Sequence, residues 1–209
     1  MTRYFDAVTD PVAAITAALD ELRSGGLVVL PTETVYGLAV LPTCPGAVNA
    51  LFERKGRSES QPVAVLVADI AQARTLVEFS PAFELLAATF WPGPLTLVAT
   101  RGVGFSTRLG GTQATIGVRC PDHELVRALA AKVGPLAVTS ANRSGQETEA
   151  DARSASESLG GGLLVLDGGP CTGVPSTVVD VTAIPARVLR AGSIERETLA
   201  GIGLVLDDD

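Results

Sequence analysis

The sequence has few of the features that mark membrane, secreted or disulfide-rich proteins. None of its apolar runs reaches about 18 residues, the length that a membrane-spanning helix needs. Residues 1–6 lack the apolar core of a signal peptide, so we expect a cytoplasmic protein. The three cysteines, Cys44, Cys120 and Cys171, are odd in number and far apart, which argues against a disulfide framework.

Histidine and cysteine, which serve many metal sites and catalytic triads, are also scarce. His123 is the single histidine, which weakens any interpretation as a Ser-His-Asp or Cys-His enzyme. Cys120 and His123 stand three residues apart, but two ligands do not make a metal centre, and we predict none. The P-loop, the glycine-rich dinucleotide loop and the serine nucleophile elbow are all absent.

Composition indicates one folded domain. Hydrophobic residues make up 46% of the 209 residues and charged residues 19%, the balance of a globular protein. We predict a single domain over residues 1–209 with its core at about 10–200. The net charge of −7 argues against binding nucleic acid over the whole surface, although a local basic cavity is compatible with it.

Short apolar runs alternate with segments of helical periodicity, which predicts an α/β domain with a mixed sheet. The predicted strands cover residues 27–30, 63–67, 95–99, 115–118, 136–139, 177–181 and 187–189. The predicted helices run from Pro11 to the Gly25-Gly26 pair and over residues 45–54, 69–77, 81–88 and 123–132, with a short helix after the polar stretch 143–152. Asp10 and Asp122 are the expected N-caps of the first and the fifth of these helices.

Four polar segments lie at the ends of these predicted elements, where ligands collect in open α/β sheets. Residues 31–37 carry two hydroxyls, a carboxylate and a phenol, which suit either a small polar ligand or a polar turn. Residues 139–145 are rich in hydroxyl and amide groups, which suit either phosphate and ribose contacts or a turn. The fourth segment combines residues 175–180 with 188–192 and ends on Arg190.

The remaining segment, Arg54-Lys55-Gly56-Arg57, concentrates positive charge at the end of a predicted helix. The helix dipole favours cations there, which is a structural explanation. Three cations in four residues also repel one another unless an anion lies among them, and arginine forks onto phosphate oxygens. We favour an anion site that uses Lys55 and Arg57.

The ordered set of these motifs resembles the YrdC/TsaC family of threonylcarbamoyl-adenylate synthases. The matching stretches are Pro-Thr-Glu-Thr-Val-Tyr-Gly (31–37), Lys-Gly-Arg (55–57), Trp-Pro-Gly-Pro-Leu-Thr (91–96), Gly-Val-Arg-Cys-Pro-Asp-His (117–123), Ser-Ala-Asn-Arg-Ser-Gly (140–145), Pro-Ser-Thr-Val-Val-Asp (175–180) and Leu-Arg-Ala-Gly (189–192). The resemblance implies a single-domain, twisted open mixed sheet with helices on both faces and a central cavity.

The same resemblance implies an activity. ATP, L-threonine and bicarbonate would give threonylcarbamoyl-AMP and pyrophosphate, a nucleotidyltransferase reaction that needs Mg²⁺ with the ATP. The product serves the modification of a tRNA adenosine beside the anticodon. Separate threonylcarbamoyl-transferase proteins are the expected partners, with direct tRNA binding a weaker expectation and no membrane partner.

The resemblance also assigns roles to residues of this chain. Lys55 and Arg57 are the expected catalytic residues. The expected ATP-binding residues are Lys55, Arg57, Gln61, Thr115, Ser140, Asn142, Thr148 and Arg190, with Thr115 between the two ligands. The expected threonine-binding residues are Thr32, Thr34, Tyr36, Leu66, Arg119, Thr139 and Thr177, with Arg119 paired to the threonine carboxylate.

The chain departs from the family pattern at two of these positions. Gln61 stands where many relatives have asparagine, and an amide contact can persist there. Leu66 stands where many relatives have histidine, and it cannot replace an imidazole hydrogen bond. Two alternatives remain open at this point: a YrdC-like domain that activates carbamoyl phosphate, and an RNA-binding module that uses the cavity as a basic patch.

Overall fold

The computed structural model describes residues 1–207, and within that range the chain forms ten strands and seven helices. The strands are β1 (Arg3–Asp6), β2 (Val28–Leu30), β3 (Gly37–Val40), β4 (Ala64–Leu66), β5 (Leu95–Thr100), β6 (Thr115–Arg119), β7 (Leu136–Ser140), β8 (Leu164–Asp167), β9 (Thr177–Asp180) and β10 (Arg187–Arg190). The helices are α1 (Pro11–Arg23), α2 (Ala47–Lys55), α3 (Ile70–Arg74), α4 (Pro81–Phe90), α5 (Glu124–Val133), α6 (Ala152–Ser158) and α7 (Arg196–Gly201). The predicted domain reaches residues 208 and 209, which lie outside the described range.

All ten strands belong to one open sheet in the order β1-β8-β2-β3-β7-β4-β6-β5-β9-β10. The β1–β8, β8–β2, β4–β6 and β5–β9 pairs are parallel, and the other pairs are antiparallel. The predicted mixed sheet is therefore confirmed. Strands that are distant in the sequence lie side by side, so the central strands β7, β4 and β6 gather residues from three separate regions of the chain.

Helices cover both faces of the sheet, because successive side chains of each buried strand point to opposite sides. Helices α1 and α5 pack on one face against Val28, Leu30 and Leu136, which are buried with them in one apolar cluster. Helices α2, α4 and α6 share the other cluster with Val29 and Ala137, the alternate residues of the same strands. The predicted placement of helices on both faces is confirmed.

Helices α1 and α5 cover only part of their face of the sheet. The uncovered part forms the floor of a cavity. Leu66 and Val138 belong to the α1–α5 cluster and also line a large cavity. Beyond them the cavity is floored by the same face of β6, β5 and β9, whose alternate residues Val118, Leu97 and Val179 pack into the opposite cluster. A helical layer on one half of the face thus leaves a cavity over the other half.

Local signals explain where the long helices begin. The Asp10 side chain accepts a hydrogen bond from Ala13 N at 3.0 Å, as predicted for an N-cap, and Pro11 follows in the first turn. The prediction for Asp122 is wrong: His123 is the N-cap residue of α5. The backbone N–H of Asp122 is instead bonded to the Glu33 carboxylate, and its own carboxylate to Arg127.

The sequence prediction missed the strands β1, β3 and β8 and helix α7. Within the described residues, no helix is long and apolar enough to cross a lipid bilayer.

Candidate active site

The cavity over the sheet has a volume of about 520 Å³, large enough for a nucleotide with a small second ligand. Its floor is the face of the central strands, and its walls are the polar loops that the sequence singled out. Ten of the predicted site residues line it: Thr32, Arg57, Leu66, Thr115, Arg119, Thr139, Ser140, Asn142, Thr148 and Arg190. Segments separated by well over 100 positions therefore meet around one space.

Three guanidinium groups converge on this cavity from different parts of the chain. Arg57 follows α2, Arg119 ends β6 and Arg190 ends β10, and all three line the cavity. Burial lowers the pKa of Arg190 below its usual value, and the neighbouring charges of Arg119 and Arg57 lower it further. Like charges held this close in a partly buried space favour an anionic ligand between them.

Arg119 is 5% exposed and is held on three sides. Its Nε donates to Gly93 O at 3.1 Å and its Nη1 to Thr34 Oγ1 at 3.0 Å. Its Nη2 forms an ion pair of 2.8 Å with Glu33 Oε1. These contacts fix the plane of the guanidinium, which can then present its remaining N–H groups to a carboxylate in the cavity.

The three cationic side chains of the segment 54–57 point to different parts of the structure, and the predicted pair of Lys55 and Arg57 is divided between the loop after β7 and the cavity. Arg54 Nη1 donates to Gly161 O at 3.0 Å and to Leu159 O at 3.4 Å, which places it near the α6–β8 turn. Arg57 alone of the segment lines the cavity, with its Nε 3.1 Å from Gln61 O and its Nη2 2.9 Å from Pro62 O. Gly56 has φ +63° and forms the left-handed C-cap of α2, which turns the chain between them.

Lys55 is buried beneath the loop that follows β7. It is 2% exposed, and its Nζ donates to Ser140 O at 2.6 Å, to Ser140 Oγ at 3.1 Å and to Asn142 Oδ1 at 2.9 Å. A fourth contact joins Nζ to Asn142 O at 3.0 Å. Burial, and next the charge of Arg57, lower the pKa of Lys55 to about 8. Lys55 is therefore not a lining residue; it supports the two lining residues Ser140 and Asn142.

Arg190 is oriented by a pair of hydroxyl residues on the cavity wall. Its Nε and Nη2 donate to Ser176 O at 3.1 and 2.7 Å, and Nη2 also donates to Ser176 Oγ at 3.0 Å. Ser176 Oγ lies 2.9 Å from Thr96 Oγ1, and both residues are buried and line the cavity. Sequence reasoning missed Ser176 and Thr96.

Four further predicted residues lie outside the lining. Thr34 is buried and bonded to Arg119, while the Tyr36 hydroxyl donates to Gly169 O at 2.6 Å. Thr177 Oγ1 donates to Ile194 O at 2.8 Å and accepts from Ile194 N at 2.9 Å. The Gln61 side chain is exposed, and only its backbone oxygen contacts Arg57. These four residues lie behind the cavity lining and do not themselves form its surface.

Carboxylates are scarce in the cavity. Asp180 is the carboxylate among the lining residues of the described chain, and its Oδ1 accepts from Thr182 N and Oγ1. No group of three or more metal-binding side chains occurs in the described part of the chain. His123 lies outside the lining as well, so the cavity offers cations and hydroxyls rather than a catalytic base.

Comparison with known proteins shows which family this chain resembles. The model of the Sua5/YciO/YrdC family, described as "Telomere recombination", matches residues 20–192. A Mycobacterium tuberculosis protein provisionally named threonylcarbamoyl-AMP synthase is 40% identical, over 97% of this chain and 95% of the relative.

Two solved structures share the fold. The structure of Pyrococcus abyssi Sua5 complexed with L-threonine has a TM-score of 0.87 and 34% identity, covering 99% of this chain. The present chain spans 62% of that Sua5 chain. Escherichia coli YciO has a TM-score of 0.83 and covers 95% of this chain and 98% of its own; at 24% identity this similarity concerns the fold alone.

Proposed function

The chain belongs to the Sua5/YciO/YrdC family, and we propose that it is a threonylcarbamoyl-AMP synthase that joins ATP, L-threonine and bicarbonate with release of pyrophosphate. One observation carries this proposal above the others. Arg57, Arg119 and Arg190 converge on a single cavity whose described walls are otherwise hydroxyl, amide and apolar groups and the carboxylate of Asp180. Such a site suits two anionic partners that have to be brought together.

The threonine carboxylate binds at Arg119 in this proposal. The guanidinium is already fixed by Gly93, Thr34 and Glu33, so little side-chain entropy is lost when it binds a carboxylate. Thr139 lines the cavity and offers its hydroxyl to the ligand, whereas the hydroxyl of the lining residue Thr32 donates to Val35 O at 2.6 Å and shapes the turn. Leu66 adds an apolar wall where many relatives offer an imidazole. The threonine-bound Sua5 relative supports this choice of substrate.

The triphosphate binds on the side of Arg57 and Arg190. Ser140, Asn142 and Thr148 line the cavity there and offer hydroxyl and amide groups to phosphate or ribose oxygens. Lys55 acts from below as a positioning residue, because its four hydrogen bonds to Ser140 and Asn142 hold their loop in place.

The reaction needs positioning and charge neutralisation more than a protein nucleophile. The amine of threonine and bicarbonate give a carbamate and water. A carbamate oxygen then attacks the α-phosphorus, a new P–O bond forms, and the bond to pyrophosphate breaks. The negative charge that gathers on the phosphoryl oxygens and the leaving group is countered by Arg57 and Arg190.

Mg²⁺ enters with ATP as part of the substrate. Magnesium usually keeps several waters and binds mainly through substrate phosphates with one or two carboxylates. Asp180, the one carboxylate that lines the cavity within residues 1–207, fits this limited role. When bound, the ion would draw charge from the phosphate oxygens.

The experiment is to incubate the pure protein with MgATP, L-threonine and bicarbonate and to measure pyrophosphate release. We expect release that requires both threonine and bicarbonate. Release that is independent of either compound, or none at all, would refute the proposed reaction. Carbamoyl phosphate in place of threonine and bicarbonate tests the related carbamoyl chemistry, and salt-dependent tRNA binding without ATP consumption would favour an RNA-binding module.

Transfer to tRNA is proposed to depend on separate threonylcarbamoyl-transferase proteins. The product is a mixed anhydride of a carbamic acid and a phosphate, which is a reactive group donor.

A further inference from the structure

The centre of the cavity floor is formed by a glycine in the middle of a strand. β6 reads Thr115-Ile116-Gly117-Val118-Arg119, and its residues 115, 117 and 119 all line the cavity. Successive residues on one face of a strand are about 6.6 Å apart, so Gly117 lies midway between Thr115 and Arg119. It lies between Ala64 of β4 and its partner Val98 of β5, both of which also line the cavity.

The backbone does not require glycine at this position. Gly117 is not among the residues with positive φ, so an L-residue can adopt its conformation. A Cβ at Gly117 would lie 3.4 Å from Thr96 Cγ2, 3.8 Å from Ala64 Cβ and 3.8 Å from Val98 Cγ2, which is ordinary van der Waals contact.

Packing does not require it either, as a second glycine of the cavity shows. At Gly37 a Cβ would lie 2.7 Å from Val138 Cγ1, too close for any side chain. Gly37 is therefore explained by the packing of the protein against itself. Gly117 is not, and a glycine within a strand costs stability relative to alanine. The space above Gly117 is open to the cavity and to whatever the cavity holds.

We propose that Gly117 keeps clear the place where the two substrates meet. Resting on the proposed function, this places the carbamate oxygen and the α-phosphorus above the bare backbone of β6. The threonine side is toward Arg119, and the nucleotide side is toward Thr115. A side chain at position 117 would separate the reacting atoms without removing any group that binds either substrate alone. Gly117 is thus a positioning determinant for the joining step.

The test is Gly117→Ala, with Gly201→Ala as the matched control. Gly201 ends α7 outside the cavity, and a Cβ there would meet nothing within 4 Å. For Gly117→Ala we expect kcat for pyrophosphate release to fall about 100-fold, because a displacement of about 1 Å has that effect on oriented reactants. The melting temperature should equal or exceed that of the wild type, and Gly201→Ala should keep wild-type activity.

Binding measurements separate this role from a binding role. By calorimetry, we expect ATP alone and L-threonine alone to bind Gly117→Ala within about threefold of wild type. With ATP already bound and bicarbonate excluded, threonine should bind the variant at least about tenfold more weakly than the wild type.

Several results would overturn the inference. Wild-type kcat in Gly117→Ala would show that the space is not used. A tenfold loss of affinity for one ligand alone would assign the glycine to that ligand's own subsite, and a lowered melting temperature would assign it to folding. A wild-type protein without threonine-dependent release would instead remove the proposed function, and this inference with it.

Discussion

The ammonium nitrogen of Lys55 lies 2.9 Å from Oδ1 of Asn142 and 3.0 Å from its backbone oxygen. One residue thus holds both the side chain and the main chain of another that is 87 positions away. The Asn142 amide nitrogen in turn donates to Gln146 O at 2.6 Å, so the loop is fixed from both sides. The charge of Lys55 holds the cavity wall that we propose for the nucleotide, and in that proposal it acts on the ligand through Ser140 and Asn142.

Alkaline pH should therefore reduce activity. With a pKa of about 8, Lys55 loses its proton as the pH rises through 8, and its contacts to Ser140 and Asn142 weaken. We expect kcat/KM to decline above about pH 8. In Lys55→Arg, whose charge persists at all accessible pH values, the decline should vanish from the activity that remains. If kcat/KM of Lys55→Arg still declines above about pH 8, a group other than Lys55 is responsible for the pH dependence.

Stability should follow the opposite trend over the same pH range. The pKa of Lys55 is lowered in the folded protein, so between about pH 8 and the ordinary lysine value near 10.4 the unfolded chain binds more protons. The free energy of unfolding that Lys55 contributes then rises with pH in that window. The denaturant midpoint of the wild type should therefore rise relative to that of Lys55→Met between pH 8 and pH 10. A flat difference would show that the lysine is not desolvated.

Arg57→Ala and Arg54→Ala should separate catalysis from folding within one segment. Arg57 lines the cavity, and we expect its loss to lower kcat/KM at least about 100-fold, as for other charge-stabilising donors. Its bonds to the carbonyls of Gln61 and Pro62 are exposed, so the melting temperature should fall less than in Arg54→Ala. Arg54 bonds the carbonyls of Leu159 and Gly161, so its loss should cost about 1–2 kcal/mol of stability and leave kcat/KM near wild type. The reverse pattern would contradict the assignment of Arg57 to the site.

Ser176→Ala and Thr177→Val should have different effects although the residues are adjacent. Ser176 Oγ accepts from Arg190, and its loss should raise KM for ATP about fivefold, the equivalent of one hydrogen bond. Thr177→Val leaves the buried N–H and C=O of Ile194 unpaired, which should cost about 1–3 kcal/mol of stability with no change in KM. If Thr177→Val raises KM for threonine, the result would support the direct contact between Thr177 and threonine that the sequence analysis predicted.

Arg119→Lys should act on threonine rather than on ATP. Lysine cannot bond Gly93 and Thr34 and still present a fork of two N–H groups to a carboxylate. We expect KM for threonine to rise at least about tenfold, while KM for ATP stays within about threefold. Steady-state kinetics with each substrate varied in turn measures both, and an equal rise in the two values would count against this assignment.

The sequence predicted the central part of the fold better than its periphery. β6 alternates polar or small residues with apolar ones, while β5 is a mostly apolar run, and the bounds of both differ from the predicted ones by a single residue at one end. β1, with the sequence Arg-Tyr-Phe-Asp, lacks the apolar pattern that predicts a strand. It forms a strand by pairing with β8, which is distant in the sequence. β3 was hidden because its first residue, Gly37, also ends the polar segment 31–37.

The motifs predicted which segments line the cavity, but the direction of single side chains required the tertiary structure. Ser176 and Thr177 are neighbours in the sequence, and the register of β9 against β5 decides which of them faces the cavity. Lys55 and Arg57 likewise lie on either side of Gly56, and its left-handed turn directs one beneath the Ser140 loop and the other into the cavity. The alternation in β6 could have indicated Gly117, which shares its face with Thr115 and Arg119, and Thr96 is the polar residue between the apolar Leu95 and Leu97.

The strand order also determines when the cavity can exist during synthesis. β5 is paired on one side by β6 and on the other by β9, which begins only at Thr177. A nascent chain that ends before that residue carries the floor with β5 as an unprotected edge, open to pairing with a neighbouring chain. Arg190, the last of the three arginines, emerges from the ribosome later still. Ligand binding that uses all three arginines therefore requires synthesis of the chain through Arg190.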